Sequence, residues 1–554
     1  MKKAMFYALG IILVLLMAIG LTACASSNPG QQGQPSQPTQ QSPQGQPSTP
    51  PTASNPATPA PVPTQGPEYG GIFRISTGAD TAMALGFPWE HQVLGSQGHL
   101  APFVEPLLEA RQDGTFGYSL AVDYQSDVEK LQIIFTLRQG VTFSDGSPWN
   151  AETAAWVLTQ QMEANEMNPA VIGYEVRDEY TFVVQLNQYL NSIFPIFSNR
   201  PFSMISRENY EKNGRDYARV NPVGTGPFTL KEQVPGSHIS FERRDDYWRE
   251  GMPYLDGIEY VQMTDVMTQN AAMMSTGPDA LDELTTGNFE QVALLRDQAP
   301  VYVLTQQGGY SSLIPGSRNE GDPLALVDVR KAVSFAIDRV SLVEARGFGI
   351  SRPATQIIAE GFVGHIPDAS LNVSYDPVKS KELLASSGYP NGFDTVINVM
   401  PGADRDAAVA IQSMLAEVGI NARLDFPEAG AATEMRSGYW EGFMYTGIGN
   451  FANSGTTIRL HMDPNFQYMP TMWRPADEMR SDYDNLRAAS TYEDEELYAM
   501  RINQLFLENM VTIPIVDSTT CFIIKNNVYD TAFAVHTPQT VWLPYQTWKS
   551  ATPP

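Results

Sequence analysis

The chain between residues 69 and 263 alternates short β-type runs with polar turns. Five runs of mostly apolar, β-branched or aromatic residues predict strands, at 69–75, 131–138, 180–186, 239–242 and 258–263. A helix is predicted between the second and third runs, because Asn150 can cap its N-terminus and Val157 and Leu158 continue its apolar face. This part of the chain therefore predicts a β-rich region with an interposed helix.

The chain after residue 328 has a different pattern, in which helices alternate with strands. Apolar residues at spacings of three and four from Val329 to Val343 predict an amphipathic helix. Asp376 and Pro377 predict the start of another helix, which is expected to stop at Gly388. A β-α-β unit, a last helix and closing strands are predicted at 395–426, 497–510 and 512–524. The sequence thus predicts a mixed α/β protein with at least two lobes.

The N-terminus has the pattern of an export signal. Lys2 and Lys3 precede an uncharged apolar run at 4–23, which ends in the small residues before Cys24. The sequence Leu-Thr-Ala-Cys at 21–24 resembles the lipobox of bacterial lipoproteins, in which the cysteine thiol is acylated and becomes the new N-terminus. An uncleaved membrane anchor is the alternative, since about 20 apolar residues can span a bilayer. Both interpretations place the remaining chain on the outer face of the cytoplasmic membrane.

Residues 24–67 are predicted to form a disordered tether. The 43 residues that follow Cys24 carry no charged side chain and consist mainly of Pro, Gln, Ser, Thr and Gly. Such a composition offers too little apolar surface to offset the entropy of ordering, and its prolines favour extended polyproline II structure. The segment is therefore interpreted as a spacer between the membrane and a folded domain.

The size and charge of the chain restrict its architecture and its partners. Of the 554 residues, about 487 remain from Glu68 onward, which is too many for one hydrophobic core and indicates two or three lobes. The formal net charge of −26 argues against binding to nucleic acid, which requires clustered Lys and Arg. The same charge argues against peripheral adhesion to anionic lipid.

Six segments, in this order, resemble the family 5 extracellular solute-binding proteins, which are the oligopeptide, dipeptide and nickel binders of ABC importers. The segments are FTLRQGVTFSDGSPWNAET at 135–153, VGTGPFTL at 223–230, RRDDYWREGMPYLD at 243–256, VRKAVSFAIDR at 329–339, YDPVKSKELLASSGYPNGF at 375–393 and IQSMLAEVGINARL at 411–424. Each segment alone is a weak turn or helix pattern, but their order and spacing make a chance match improbable. The lipobox and the tether are independent support, because such proteins in single-membrane bacteria are usually lipid-anchored.

The resemblance implies a two-lobed clamp of the type II periplasmic-binding-protein kind, with an extra subdomain. Its first lobe would be discontinuous, and its second lobe contiguous. The implied boundaries are 68–100, 227–305 and 505–554 for lobe I, 101–226 for its subdomain, and 306–504 for lobe II. A solute would bind between the lobes and close them by hinge motion, and the closed, monomeric protein would dock on a permease and its ATPase.

Most of the matched residues are expected to be structural. Gly224 and Gly226 are predicted to adopt backbone angles that other residues disfavour. Tyr247 and Trp248 are expected to pack in the core or between lobes. A charged set at the fourth segment is expected to cap and pair around one helix; its members are Arg330, Asp338 and Arg339.

No motif in the sequence indicates catalysis, a metal site or a cofactor. HExxH, GxSxG and Walker loops are absent from the sequence, and none of the six histidines is at metal-ligand spacing from another. The sequence therefore predicts a protein without enzymatic activity. An extracellular hydrolase, and a surface receptor that reports ligand occupancy to a sensor, are the alternative functions.

The stretch at 439–454 is the best candidate for ligand contact. In peptide-binding relatives the corresponding W-x-x-D segment supplies an aspartate that pairs with the α-ammonium of the peptide, whereas this chain has Asn450 at the aligned position. An amide can accept a hydrogen bond from an ammonium but contributes no charge. The departure favours a neutral or blocked ligand, a sugar-like solute or a chelate over a peptide with a free amino group.

Aromatic side chains near Asn450 are candidates for an apolar pocket wall with polar tips. In lobe II the candidates are Trp440, Tyr445, Phe451 and Trp473, and Tyr310 is expected near the hinge. On the opposite lobe the segment after the first strand contributes Trp89 and Glu90. An alternative role for these aromatic residues is core packing.

Overall fold

A computed structural model describes most of the chain from residue 66 onward. The described residues are 61–62, 66–78, 81–91, 98–110, 116–164, 167, 170–189, 191–319, 321–360, 362–367, 374–437, 439–449, 454–462, 477–489, 491–531 and 542–551. The export signal, Cys24 and nearly all of the predicted tether lie outside these ranges. Within them, no helix is both long and apolar enough to cross a bilayer.

Up to residue 298 the chain is richer in strands than in helices. The strands are β1 Ile72–Thr77, β2 Leu108–Ala110, β3 Phe116–Tyr118, β4 Ala121–Asp127, β5 Gln132–Leu137, β6 Val171–Asp178, β7 Thr181–Leu186, β8 Phe228–Val234, β9 His238–Arg243, β10 Gly257–Gln262 and β11 Glu283–Thr286. The helices are α1 Ala151–Glu163, α2 Arg207–Asn213, α3 Arg215–Val220, α4 Val266–Met274 and α5 Phe289–Gln298. The five strands and the helix predicted from the sequence overlap β1, β5, β7, β9, β10 and α1, which confirms them.

From residue 301 onward helices alternate with strands. The strands are β12 Val301–Pro315, β13 Phe393–Val399, β14 Ile420–Asp425, β15 Phe443–Gly449, β16 Ile513–Lys525, β17 Val528–Tyr529 and β18 Trp548–Lys549. The helices are α6 Val327–Ala336, α7 Arg339–Arg346, α8 Pro377–Ser386, α9 Arg405–Glu417, α10 Ala429–Ser437, α11 Ser454–Met462, α12 Asp477–Ala488 and α13 Tyr492–Asn509. The predicted β-α-β unit is confirmed, since β13 and β14 are parallel neighbours joined by α9.

One large sheet extends through both lobes. Its strand order is β14-β13-β15-β12-β16-β11-β1-β10-β9-β8. We call the part with β8–β11 and β1 the first lobe, and the part with β13–β15 the second lobe. A separate antiparallel sheet of order β4-β5-β7-β6 packs beside the first lobe as a subdomain. The architecture is therefore mixed α/β with two lobes, as the sequence predicts.

Side-chain caps fix the starts of several helices where the sequence predicts them. Asn150 Oδ1 accepts a hydrogen bond from the backbone N–H of Thr153 at 3.0 Å, at the start of α1. Asp376 Oδ1 accepts one from the backbone N–H of Lys379 at 2.9 Å, at the start of α8. Gly388, two residues after that helix, has a φ of +95°, a conformation that favours glycine.

The single helix predicted over 329–343 is wrong, because α6 ends at Ala336 and α7 begins at Arg339. Asp338 stands between them and accepts a hydrogen bond from the backbone N–H of Ser341, which caps the second helix. The apolar spacing continues through the break because both helices face the same core. Periodicity alone therefore could not locate the cap.

Arg330 and Arg339 bind backbone carbonyls instead of pairing with Asp338. The guanidinium of Arg330 donates to the carbonyls of residues 324, 325, 509 and 510, at 2.7–3.2 Å. Arg339 donates to the carbonyls of Ser334, Ile337 and Pro514 and to the hydroxyl of Ser334. The expectation that these charged residues pair around one helix is therefore wrong. The two arginines tie α6 and α7 to α13 and β16.

Gly224 and Gly226 are required for space and not for unusual backbone angles. Neither residue is among the described glycines with positive φ. A Cβ on Gly224 would lie 1.9 Å from the carbonyl oxygen of Phe103, and one on Gly226 would lie 2.5 Å from its carbonyl carbon. The sequence prediction identified the correct glycines and gave the wrong reason.

The buried side chains form separate clusters on the two lobes. One cluster joins the first lobe to its subdomain and includes Phe73, Phe135 and Phe241, and a smaller one lies against α4 and α5. Two further clusters cover the two faces of the second lobe's sheet. Each lobe thus has a hydrophobic core of its own, which allows the lobes to move as bodies.

Candidate solute site between the two lobes

The strands β12 and β16 form an antiparallel ribbon that belongs to both lobes. Residues 301–307 of β12 pair with residues 519–525 of β16, and residues 521–524 of β16 pair along their other edge with β11 of the first lobe. Residues 309–315 of β12 pair with β15 of the second lobe. The pairing of β12 with β16 changes register between Gln307 and Gly309 and again between Ser311 and Ser312. The ribbon therefore leaves one lobe and enters the other at residues 307–312, where its ladder is irregular.

Gly309 lies at this transition and approaches β15 very closely. Its φ is +152°, and a Cβ on it would lie 2.0 Å from the carbonyl oxygen of Ile448. Only glycine fits such an approach without moving one of the two strands. Ile448 and Gly449 lie at the end of β15, directly before the predicted contact residue Asn450. The crossing between the lobes therefore lies beside the end of β15, next to the predicted contact residue Asn450.

Tyr310, predicted near the hinge, is buried in the second lobe. Its hydroxyl lies 3.0 Å from Nε2 of His461 on α11, and Tyr310 and His461 are each 1% exposed. Burial lowers the pKa of His461 to about 3, so the imidazole is neutral at physiological pH. Sequence reasoning did not select His461, because a lone histidine has no spacing signal. The pair fastens α11 to the ribbon.

Trp440 and Tyr445 lie on opposite faces of the second lobe's sheet. Trp440 is 1% exposed and donates a hydrogen bond from Nε1 to the carbonyl of Ile314 at 3.1 Å. Tyr445 belongs to the other core cluster, and burial raises its pKa to about 12. The structure thus does not bring these two rings into one wall. Their contact with a solute stays a prediction.

Trp89 and Glu90 lie in the 3-10 helix Pro88–Glu90 of the first lobe. Trp89 is buried and stacks on Phe87, with ring centroids 5.1 Å apart. The carboxylate of Glu90 pairs with Arg219 at 2.8 Å and with Arg215 at 3.9 Å, both on α3. Glu90 already has two cationic partners, so its negative charge is paired within the first lobe and its subdomain. Its role in binding also stays a prediction.

Three predicted contact residues, Asn450, Phe451 and Trp473, lie outside the described residues. The ranges 92–97, 463–476 and 532–541 also lie outside them. Among the residues that the structure describes, no group of three His, Cys, Asp or Glu side chains could hold a metal ion.

The two lobes contact each other beyond the ribbon. Helices α11 and α12 of the second lobe lie against the 3-10 helix Asn191–Ser198 of the subdomain. Burial raises the pKa of Tyr189, and the negative charge of Glu495 on α13 of the second lobe adds to the rise. Glu495 also accepts hydrogen bonds from the backbone N–H and hydroxyl of Ser454 at the start of α11. No sequence pattern predicts this contact, because its members are about 300 residues apart.

Known proteins resemble this chain in sequence and in fold. Residues 115–468 match the family described as bacterial extracellular solute-binding proteins, family 5 Middle. The glutathione-binding protein GsiB of Salmonella typhi is 28% identical over 353 residues, which are 62% of this chain and 67% of the relative.

Two solved structures have the same fold at low sequence identity. The ABC transporter-associated periplasmic binding protein DppA of Helicobacter pylori, in complex with the peptide STSA, is 19% identical with a TM-score of 0.69 over 87% of this chain and 98% of its own. NikA of Brucella suis, in complex with Fe(III)-EDTA, is 18% identical with a TM-score of 0.74 over 87% of this chain and 100% of its own. These similarities confirm the two-lobed fold.

Proposed function

Since the chain belongs to the bacterial extracellular solute-binding proteins of family 5, we propose that it captures a small organic solute between its lobes and delivers it to the permease of an ABC importer. The observation that carries this proposal is the β12–β16 ribbon. It joins two lobes that have separate cores, and it changes register where it passes between them. A solute that contacts both lobes stabilises the closed arrangement, whereas one that contacts a single lobe does not.

The proposal includes the lobe boundaries that the family resemblance implies, except that the second crossing between the lobes lies later in the chain. The first crossing lies near residue 306, because Tyr302 and Val303 pack in first-lobe clusters and Tyr310 packs in a second-lobe cluster. We move the second crossing from residue 505 into β16, near Thr519. Phe506, Val511, Ile513 and Ile515 all pack in second-lobe clusters, which supports the adjustment. Residues 101–226 remain the subdomain.

For the solute we propose a molecule without a free amino terminus. The relatives differ in what they bind, since GsiB is a glutathione-binding protein, DppA holds a peptide and NikA holds Fe(III)-EDTA. Asn450 replaces the aspartate that peptide-binding relatives use for the α-ammonium, so a blocked peptide, a sugar-like solute or a chelate suits this chain better. The contacts proposed are one set in lobe II, one residue near the crossing and two residues on the opposite lobe: Asn450, Phe451, Trp440, Tyr445 and Trp473, then Tyr310, then Trp89 and Glu90.

The proposed role is capture and release without chemistry, so the solute leaves unaltered. The protein would act as a monomer, anchored to the outer face of the membrane by a lipid on Cys24 and held away from it by the tether at 25–67. The uncharged, proline-rich composition of that segment supports a spacer.

Native mass spectrometry of freshly purified protein tests this proposal, because clamps of this kind can retain their solute. The proposal expects a bound small molecule that is lost on unfolding and is recovered with its mass unchanged after long incubation. Conversion of the molecule by the protein would contradict a purely binding role. A retained peptide with a free amino terminus would contradict the solute class inferred from Asn450.

A further inference from the structure

A pocket lies at the end of the first lobe that is farthest from the second lobe. It has a volume of about 470 Å³ and is bordered by the start of β1, the end of β16 and the segment after α4. Lys525, which borders it, ends β16, whereas Ile513 at the other end of that strand packs in the second lobe. At about 3.3 Å per residue, Lys525 lies roughly 23 Å from Ser518, which pairs with Gly309 where the ribbon passes between the lobes. The pocket is therefore separate from the proposed solute site.

Three cationic side chains border this pocket in a protein of net charge −26. They are Arg74, Lys525 and Lys549. Lys549 donates from Nζ to Oδ2 of Asp282 at 2.8 Å and to the carbonyl of Ile72 at 2.9 Å. Arg74 pairs with Glu259 and, at 3.5 Å, with the exposed Asp279. Two of the three cations thus have carboxylate partners.

Lys525 has no carboxylate within 4.0 Å among the described residues, although it is only 9% exposed. Its Nζ donates to the carbonyl of Ser275 at 2.5 Å, which satisfies one of its three N–H groups. The nearby carboxylate of Asp282 already accepts from Lys549 Nζ and from the backbone N–H of Arg74. Burial lowers the pKa of Lys525, and the charge of Lys549 lowers it further, against the opposing effect of Asp282.

Three buried arginines of this fold have several hydrogen-bond acceptors each. The guanidiniums of Arg330 and Arg339 each donate to several backbone carbonyls, and that of Arg244 binds Asp246 and four carbonyls. A buried charge that lacks such compensation destabilises the fold. Lys525 departs from this pattern, and it does so at the wall of a pocket. An anion in the pocket would compensate it.

We propose that this pocket binds an oxyanion, specifically a phosphate group, through the ammonium groups of Lys525 and Lys549 and the guanidinium of Arg74. Lysine supplies a point charge and arginine a planar fork, and both are common partners of phosphate. The polar side chains of Thr276 and Asn526 border the same pocket and complete its hydrogen-bonding surface. The volume exceeds what a bare phosphate needs, so a phosphorylated molecule or a lipid headgroup also fits.

The pocket lies where the headgroup of a membrane lipid could supply that phosphate. Glu68, the first charged residue after the tether, accepts hydrogen bonds from Ser550 and from the backbone N–H of Ala551, which borders the pocket. The chain that leads to the proposed membrane anchor therefore enters the fold beside the pocket. The proposal does not depend on solute capture, because Lys525 lies at the first-lobe end of the ribbon, whereas the ribbon passes between the lobes near its middle, at residues 307–312.

Titration of the full-length protein with sodium phosphate tests the site, with sodium chloride of equal ionic strength as the reference. The variants are Lys525→Met, which removes the charge, Lys525→Arg, which keeps it, and the control Lys231→Met, an exposed lysine on β8. Calorimetry is expected to show phosphate binding by the wild type and by the control. Binding by Lys525→Met should be weaker by about tenfold or more, because one charge-assisted contact is lost, and Lys525→Arg should recover most of it.

Thermal unfolding without phosphate shows whether weaker binding by a variant is caused by a folding defect. Lys525→Met is expected to unfold at the same temperature as the wild type or higher, because it removes a buried ammonium group that has a single hydrogen-bond acceptor, the carbonyl of Ser275. A second arm measures co-sedimentation with vesicles of phosphatidylglycerol or of phosphatidylcholine alone. Binding to phosphatidylglycerol that depends on Lys525 assigns the site to a lipid headgroup, and binding to soluble phosphate alone assigns it to a free phosphate. Equal phosphate affinity of the wild type and Lys525→Met, or no binding in either arm, would overturn the proposal.

Discussion

A Cβ on Gly309 would lie 2.0 Å from the carbonyl oxygen of Ile448, so β12 and β15 meet at a point where only glycine fits. This contact lies where the β12–β16 ribbon passes from the first lobe to the second and changes register. It also lies within the segment 439–454 that the sequence predicts to contact the solute, directly before Asn450. The crossing between the lobes and the end of β15 therefore meet at one close backbone contact.

Gly309→Ala is expected to destabilise the protein by about 2 kcal/mol or more, because the added methyl group must displace backbone atoms of β15. The matched control is Gly447→Ala on the partner strand, where nothing lies within 4 Å of an added Cβ. Urea unfolding of both variants measures the difference. Equal free energies of unfolding for the two variants would show that the close approach does not constrain the fold.

Glu283 is expected to make stability depend on pH. Burial raises the pKa of Glu283 from about 4.5 to about 8, with only a hydrogen bond from Thr285 acting against it. Between these values the folded state holds a proton that the unfolded state releases. The stabilisation of the folded state by this proton is therefore complete below pH 4.5 and is lost as pH rises through about 8.

The variant Glu283→Gln should remove this dependence. Relative to the wild type, its free energy of unfolding should rise by about 1 kcal/mol or more between pH 5 and pH 8. Glu382→Gln, at an exposed position on α8, is the control and should follow the wild type. A constant difference between Glu283→Gln and the wild type over this range would refute the assignment.

His461 should produce the opposite dependence. Burial lowers the pKa of His461 from about 6.5 to about 3. Between these pH values the unfolded state binds a proton that the folded state does not bind. The second lobe is therefore expected to lose stability as pH falls from 6.5 toward 3. Hydrogen-exchange protection factors of α11, which correct for the pH dependence of the intrinsic exchange rate, measure this loss at several pH values. His461→Gln should lose less protection on acidification than the wild type, and an identical loss would contradict the account.

Asn450→Asp is expected to raise the affinity for peptides with a free amino terminus by about tenfold or more, since it introduces the carboxylate that peptide-binding relatives use. Calorimetric titration with a panel of di- to tetrapeptides measures the gain. Asn450→Ala is the control and should show no gain. The same peptides with acetylated amino termini should not respond to the aspartate, and a similar gain for them would contradict a charge interaction with the ammonium.

Local signals in the sequence account for much of the fold. Caps such as Asn150 and Asp376, the β-α-β unit and the order of the six family segments depend on neighbouring residues, which a sequence displays directly. The break between α6 and α7 was missed because the apolar stripe continues through it, and one capping side chain decides the boundary. The role of Gly224 was misread because the carbonyl of Phe103, which it accommodates, is 121 residues away.

The site was less predictable than the fold, for a physical reason. The partners of the chosen residues come from distant parts of the chain: Glu90 pairs with Arg219 on α3, and Tyr310 contacts His461 on α11. A sequence indicates which side chains are suitable for ligand contact. Tertiary packing decides which of them bind other residues of the protein instead. The cationic pocket at Lys525 was missed for the same reason, since its members come from both ends of the folded region.

Small-angle X-ray scattering tests the central claim, that two lobes close about the β12–β16 ribbon when a solute binds. The protein is unfolded to release its retained solute, refolded, and measured before and after that solute is added back. The account predicts a smaller radius of gyration with solute and no change with molecules that do not bind. Scattering profiles that remain identical at saturating solute would contradict it.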